Sequence, residues 1–185
     1  LTYVTNPILE VFTPREGESN GYSMIVCPGG GYHILAINKE GYEVAEWLTT
    51  LGYTAFVLQY RVPDKKEEAL MDAQRAIRVV RSQAEKWQID PGRIGIMGFS
   101  AGGSLSARVS TLYNKLAYTP IDDADKLSCR PDFTALIYPA YLDQGENRTL
   151  TPELKVDKDT PPMFIFETAD DPYGNSALVM AGALR

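Results

Sequence analysis

The sequence is poor in the side chains that bind metals or form disulfides. Its 185 residues include one histidine, His33, and two cysteines, Cys27 and Cys129. Two cysteines are too few for a disulfide framework, and no histidine or carboxylate spacing suggests a zinc site. We therefore predict no metal and no cofactor. Cys27 ends an apolar run, where we expect a small buried thiol.

Long apolar runs and basic stripes are also missing. No apolar stretch approaches the roughly 18 residues of a membrane span. The 24 acidic residues exceed the 18 basic ones, and nucleic-acid binders need clustered basic side chains. These observations argue against membrane-spanning and nucleic-acid-binding proteins. The first residue is Leu1 and no signal-peptide pattern is present, so we expect a trimmed chain whose compartment and oligomeric state the sequence does not indicate.

Strand-like and helix-like segments alternate along the chain. This order predicts one α/β domain over 1–185, with a mainly parallel sheet covered by helices on both faces. Strands are predicted at 6–12, 22–27, 54–60, 93–98, 133–139 and 162–166, and helices from Glu40, over 66–88, from Ala101 and from Asn175. We expect Arg75, Arg78 and Arg81 to face water from the second helix, and the polar stretch 141–161 to be an irregular loop.

A G-x-S-x-G motif, Gly98 to Gly102, lies between a predicted strand and a predicted helix. A serine on such a sharp turn is exposed at the carboxyl edge of the sheet, and the glycines keep side chains out of the turn. The pattern predicts Ser100 as a nucleophile. A glycine-rich turn that only packs closely is the structural alternative.

A glycine run, Pro28 to Tyr32, follows an earlier predicted strand. Acyl transfer develops an oxyanion that needs two preorganised N–H donors, and glycines let the backbone approach it. We assign the donors to the amides of Gly30 or Gly31 together with that of Ala101. A flexible turn or a phosphate loop is the alternative, but no G-K-[ST] follows.

Two adjacent aspartates follow the last predicted strand, where the acid of a Ser, Asp, His order belongs. We predict Asp171 as the acid and keep Asp170 as the alternative. The structural alternative is an Asx turn or a helix cap ahead of Asn175, and we expect one of the two aspartates to have that role.

His33 is the only histidine, and it lies beside the predicted oxyanion loop. From there it is badly placed to reach both Ser100 and Asp171, so we expect His33, with Tyr32, to line a substrate pocket. We expect a further strand, and the loop with the catalytic histidine, to be missing from this chain. Without a base, Ser100 would be a weak nucleophile.

The chain resembles the α/β-hydrolase superfamily, and within it the bacterial esterases often labelled acetylxylan esterase or xylanase-associated esterase. The resemblance rests on the segments VCPGGGYHILAINKEGYEVAEWLTTLGYTAFVLQYRVP, DAQRAIRVVRSQAEKWQIDPGRIGIMGFSAGG and TPPMFIFETADDP. It implies Ser100 as nucleophile, Asp171 as acid, and the glycine-loop and Ala101 amides as oxyanion donors. It also implies release of short acyl groups from sugars or simple esters. Glu167 stands where related enzymes often carry a histidine.

Three functions follow from these observations. The first is a metal-independent serine esterase acting on carbohydrate or small esters. The second is an oligopeptidase-like hydrolase, which would need a gating domain for which the chain has no room. The third is a non-catalytic binding protein, favoured only by the missing histidine. Tyr32, Tyr60, Tyr138 and Tyr141 are candidate sugar-stacking residues, although most tyrosines pack in cores.

Overall fold

The computed structural model describes all 185 residues and is built on a six-stranded sheet. The eight strands are β1 (Ile8–Phe12), β2 (Ser23–Cys27), β3 (Thr54–Gln59), β4 (Ile94–Phe99), β5 (Phe133–Ile137), β6 (Asp143–Gln144), β7 (Thr149–Leu150) and β8 (Met163–Phe166). The sheet order is β1-β3-β2-β4-β5-β8, and β6 pairs with β7 in a separate hairpin. Within the six-stranded sheet, only β1 runs antiparallel to its neighbour. The predicted mainly parallel sheet is confirmed.

Four α-helices connect these strands: α1 (Glu43–Thr50), α2 (Lys66–Ser82), α3 (Ala101–Thr111) and α4 (Asn175–Ala183). A π-helical turn, Asn38–Tyr42, leads into α1. The helix predicted over 66–88 ends at Ser82, and turns occupy the remaining residues. No helix combines the length and apolar content that crossing a membrane would require.

Alternate residues of the central strands feed two separate cores. In β2, Ile25 and Cys27 pack into the core that contains α2 and α3 side chains, whereas Met24 and Val26 pack against α1. This follows from the two-residue period of a strand. Burial on both faces explains why β2 is apolar almost throughout. The parallel pairing of β2 with β4 places the carboxyl ends of the two strands side by side.

The prediction that the α2 arginines face water is wrong. Arg78 is 6 % exposed and its Nε donates to the Leu127 carbonyl at 2.9 Å. Arg75 donates to both carboxylate oxygens of Asp122, and Arg81 donates to Asp132 at 3.0 Å. The segment after α3 folds back over α2, and its oxygens replace the water that these guanidinium groups would otherwise bind.

The stretch 141–161 is more ordered than predicted. It contains the β6–β7 hairpin, and Leu142 and Leu154 are buried in a third core cluster with Met180 of α4. The polar composition concealed these two apolar anchors. The segment therefore packs as part of the domain beside β5.

Both cysteine side chains are buried and unpaired. Burial raises the pKa of the Cys27 thiol to about 12, against a weaker opposing effect from a hydrogen bond with Ser106. Burial also raises the pKa of Cys129. The expectation of a buried thiol at Cys27 is confirmed.

Candidate active site

Ser100 occupies a strained turn between β4 and α3. Its φ is 50° and its ψ is −114°, a conformation that costs a non-glycine residue roughly 1–3 kcal/mol. Two hydrogen bonds hold it there: Ser100 N–H donates to the Ile137 carbonyl at 3.0 Å, and Ala140 N–H donates to the Ser100 carbonyl at 3.2 Å. The predicted sharp turn between strand and helix is therefore present, and Ser100 is half-buried in it, hydrogen-bonded to the carboxyl end of β5.

The two motif glycines are required by close backbone approach. A Cβ on Gly98 would lie 1.9 Å from the Gly102 carbonyl oxygen. A Cβ on Gly102 would lie 2.0 Å from the carbonyl oxygen of Cys27 at the end of β2. No larger residue fits either position without moving backbone, because all the nearest atoms belong to the strand–turn–helix unit or to the neighbouring strand.

The glycine run lies directly beside Ser100. A Cβ on Gly29 would meet the Ser100 Cβ at 3.1 Å. Gly30 and Gly31 have φ values of 132° and 66°, which only glycine adopts readily, and the amides of both donate to no acceptor in the chain. Ala101 begins α3, so its amide lies at the positive end of that helix. Gly29 therefore places the glycine run against Ser100 from one side, and Ala101 follows Ser100 directly on the other.

Glu40 is a site residue that the sequence analysis missed. Its Oε2 accepts the Gly29 N–H at 2.7 Å, and its Oε1 accepts the Tyr138 hydroxyl at 2.8 Å. Burial raises the pKa of Tyr138, and the hydrogen bond to Glu40 raises it further. The Tyr138 ring packs on Phe99, with centroids 5.8 Å apart. One carboxylate therefore ties the glycine loop to the end of β5.

The two predicted acid candidates lie in the turn after β8. Asp170 is exposed and its side chain accepts no hydrogen bond, whereas Asp171 is half-buried. Asp171 Oδ1 accepts the Tyr173 N–H at 2.7 Å, so Asp171 is the residue that forms the expected Asx turn. The other Asp171 oxygen has no partner in the chain, and the turn fixes its carboxylate at the carboxyl edge of the sheet.

Glu167 places a second carboxylate in this turn. Its Oε1 accepts the Thr168 N–H at 2.9 Å, and its Oε2 is buried without a hydrogen-bond partner. Burial raises the pKa of Glu167, and the negative charge of Asp171 raises it further. This turn, with Glu167 and Asp171, is the acid side of the site. It thus carries a carboxylate, that of Glu167, with one oxygen that accepts no hydrogen bond.

The structure separates the two predicted pocket residues. The His33 side chain is 70 % exposed and its Nδ1 lies 2.8 Å from Asp64 Oδ1. No hydrogen bond joins its imidazole to Ser100 or Asp171. Tyr32 is 5 % exposed, with its ring next to Tyr60 in the core. Of the two, only His33 is accessible at the surface of the glycine loop.

The largest cavity lies elsewhere. It measures about 540 Å³ and opens at the far end of α3, between Leu70 and Leu112. Its walls include none of the site residues, so its size does not locate the chemistry.

Known proteins share this architecture. Residues 9–130 match the BD-FAE family. The chain belongs to the BD-FAE family. Among solved structures, an acetyl ester-xyloside bifunctional hydrolase from Caldicellulosiruptor lactoaceticus is 36 % identical, with a TM-score of 0.82 over 96 % of this chain and 73 % of that one. An α/β hydrolase from a Medee basin deep-sea metagenome library is 30 % identical, with a TM-score of 0.75 over 98 % and 72 %. This BD-FAE chain has the α/β-hydrolase fold.

Two named relatives are much longer proteins. An acetylxylan esterase of Xylanibacter ruminicola is 38 % identical over 121 residues, which are 65 % of this chain and 23 % of that protein. Endo-1,4-beta-xylanase B of Butyrivibrio fibrisolvens is 35 % identical over 189 residues, covering 88 % and 29 %. The BD-FAE chain described here spans less than a third of the length of either relative.

Proposed function

We propose that this chain carries the nucleophile and the oxyanion hole of a serine carboxylic ester hydrolase. It removes acetyl or other short acyl groups from carbohydrate or small esters. The observation that carries the proposal is the strained Ser100 turn beside a glycine loop with two unbonded amides. The names of the relatives, which include an acetylxylan esterase, support a carbohydrate ester as the substrate.

In the proposed reaction, Ser100 Oγ attacks the acyl carbonyl carbon while a base takes the hydroxyl proton. The carbonyl oxygen becomes an oxyanion, which accepts hydrogen bonds from the amides of Gly30 or Gly31 and of Ala101. The bond to the alcohol oxygen then breaks, and the alcohol takes the proton from the base as it leaves. One such donor is worth roughly 10²–10³ in kcat. Water then cleaves the acyl-enzyme and restores the serine.

The attack requires a base, because a serine hydroxyl is a weak nucleophile at its ordinary pKa. The His33 Nδ1 lies 2.8 Å from Asp64 Oδ1, and no hydrogen bond joins its imidazole to Ser100. We therefore propose that the base is a histidine that these 185 residues do not contain. Asp171 orients that imidazole and stabilises its charged form.

Chemical rescue tests this proposal on the 185-residue chain itself. The chain is incubated with a fluorophosphonate probe and with p-nitrophenyl acetate, in the absence and presence of added imidazole. Ser100→Ala supplies the blank for hydrolysis by imidazole alone, and His33→Ala is the matched variant for the only internal imidazole. Peptide mass spectrometry locates the labelled residue.

We expect slow labelling of Ser100 that added imidazole accelerates, no labelling of Ser100→Ala, and rates for His33→Ala within about twofold of the unmodified chain. Fast labelling without imidazole that disappears in His33→Ala would identify His33 as the base. If Ser100 reacts under neither condition, the hydrolase proposal is wrong, and a non-catalytic binding protein takes its place.

A further inference from the structure

Two exposed tyrosines stand at the rim of the site. Tyr141 follows β5, and Tyr173 follows Asp171 by two residues. Their rings meet edge to face, with centroids 5.4 Å apart and an interplanar angle of 75°. They are 38 % and 43 % exposed. The Tyr141 hydroxyl lies 3.6 Å from the point where a Cβ on Gly31 would be. The pair therefore lies between the glycine loop and the acid turn.

The backbone holds Tyr141 in a costly conformation. Its φ is 61°, in the left-handed region that bulky residues avoid. Its neighbours Ala140 and Leu142 are both buried, and Leu142 N–H donates to Ser176 Oγ at 3.1 Å. Such strain persists only where the surrounding structure over-determines it, typically at ligand-binding sites. The backbone that carries the ring is thus held in place before any ligand arrives.

Burial or hydrogen bonding distinguishes the other three candidate tyrosines from Tyr141, whose partner Tyr173 is a residue that the sequence patterns did not single out. Tyr32 and Tyr60 are core residues, and the Tyr138 hydroxyl is bound to Glu40. A half-exposed tyrosine ring offers an apolar face and a polar tip, which match the C–H face and hydroxyl edge of a sugar ring. Aromatic side chains pay little conformational entropy on binding, since they have only two rotatable bonds.

We propose that Tyr141 and Tyr173 form a stacking subsite for a sugar ring of the alcohol portion of the ester. This proposal rests on the proposed function in one respect, because the proposed function places the ester bond at Ser100. Binding of the sugar itself requires no catalysis. It can therefore be measured separately from the reactivity of Ser100.

The test is titration of the 185-residue chain with an unacetylated linear xylo-oligosaccharide, followed by calorimetry and by NMR line broadening of the sugar. The variants are Tyr141→Ala, Tyr173→Ala and, in case alanine perturbs the loop, Tyr141→Asn, because asparagine tolerates a positive φ. Tyr53→Ala is the matched control. Tyr53 forms a pair with Tyr22, centroids 5.7 Å apart, before the amino ends of β3 and β2.

We expect each change at Tyr141 or Tyr173 to weaken oligosaccharide binding by about tenfold, and Tyr53→Ala to leave it within about twofold. Unchanged binding in all variants overturns the subsite, as does failure of the unmodified chain to bind the sugar. In both cases imidazole-assisted labelling of Ser100 still reports on the hydrolase proposal. Binding of a free aromatic acid at Tyr141 without binding of the sugar would also overturn it.

Discussion

The glycine-loop side and the acid side of the site differ in how completely their carboxylates are bonded. On the glycine-loop side, both oxygens of Glu40 accept hydrogen bonds, at 2.7 and 2.8 Å. On the acid side, one oxygen of Glu167 is buried without a partner. The first side stands on β2 and β4, the interior of the sheet, whereas the second follows the edge strand β8.

Exposure of apolar side chains follows the same division. Every residue of β2 is buried, but Phe164 and Phe166 of β8 are 62 % and 50 % exposed. Ser100 and the glycine run lie beside strands from the interior of the sheet, whereas the turn with Asp171 follows an edge strand that exposes two phenylalanine side chains. The two sides of the site therefore differ in how fully their supporting strands are buried.

Matched glycine substitutions give the largest expected contrast. Gly102→Ala places a Cβ 2.0 Å from the Cys27 carbonyl oxygen, so strand or helix must shift. We expect the free energy of unfolding in urea to fall by about 3 kcal/mol or more. In α4, a Cβ on Gly182 would meet nothing within 4 Å, so Gly182→Ala should raise the free energy of unfolding by up to about 1 kcal/mol. Equal changes in the free energy of unfolding would show that the turn around Gly102 is no more tightly packed than α4, the helix that follows the acid side.

Removal of the Glu40 carboxylate should have the next largest effect. Glu40→Ala leaves the buried Gly29 N–H without an acceptor, which costs about 1–3 kcal/mol of stability. Imidazole-assisted labelling of Ser100 should also slow, because the glycine loop loses its tie to Tyr138. Exposed Glu46 on α1 is the control, and Glu46→Ala should change stability by less than about 0.5 kcal/mol. A double-mutant cycle with Tyr138→Phe should show coupling; strict additivity would contradict this role.

The smallest effect is expected at Glu167, and it depends on pH. Because burial raises its pKa in the folded state, the folded state favours the protonated carboxyl, and stability falls as pH rises through that pKa. Glu167→Gln should therefore be more stable than the unmodified chain by about 0.5 kcal/mol near pH 7, with no difference near pH 4. Urea unfolding at both pH values measures this difference in the free energy of unfolding. Exposed Glu16→Gln serves as the control, and a gain that is equal at both pH values would rule out the charge as its cause.

The elements that sequence predicted well are those whose signal is local. The apolar runs of β2, β3 and β4 and the G-x-S-x-G turn each lie within a few residues, and the structure confirms them. Tyr138 lies 98 residues from Glu40, and Asp122 lies 47 residues from Arg75. No periodicity within a helix reveals such partners. Glu40 is predicted only as the start of a helix, and the α2 arginines are predicted to face water.

The buried thiol of Cys27 can report local opening of the structure around β2. With a pKa of about 12, the thiol forms almost no reactive thiolate at neutral pH, and its 0 % exposure excludes alkylating reagents. Modification must wait until β2 separates from the helix packed against its carbonyl. The rate of alkylation at Cys27 would therefore report how often the packing between β2 and α3 opens beneath Ser100. The rate at Cys129 would report the opening of the segment that covers α2.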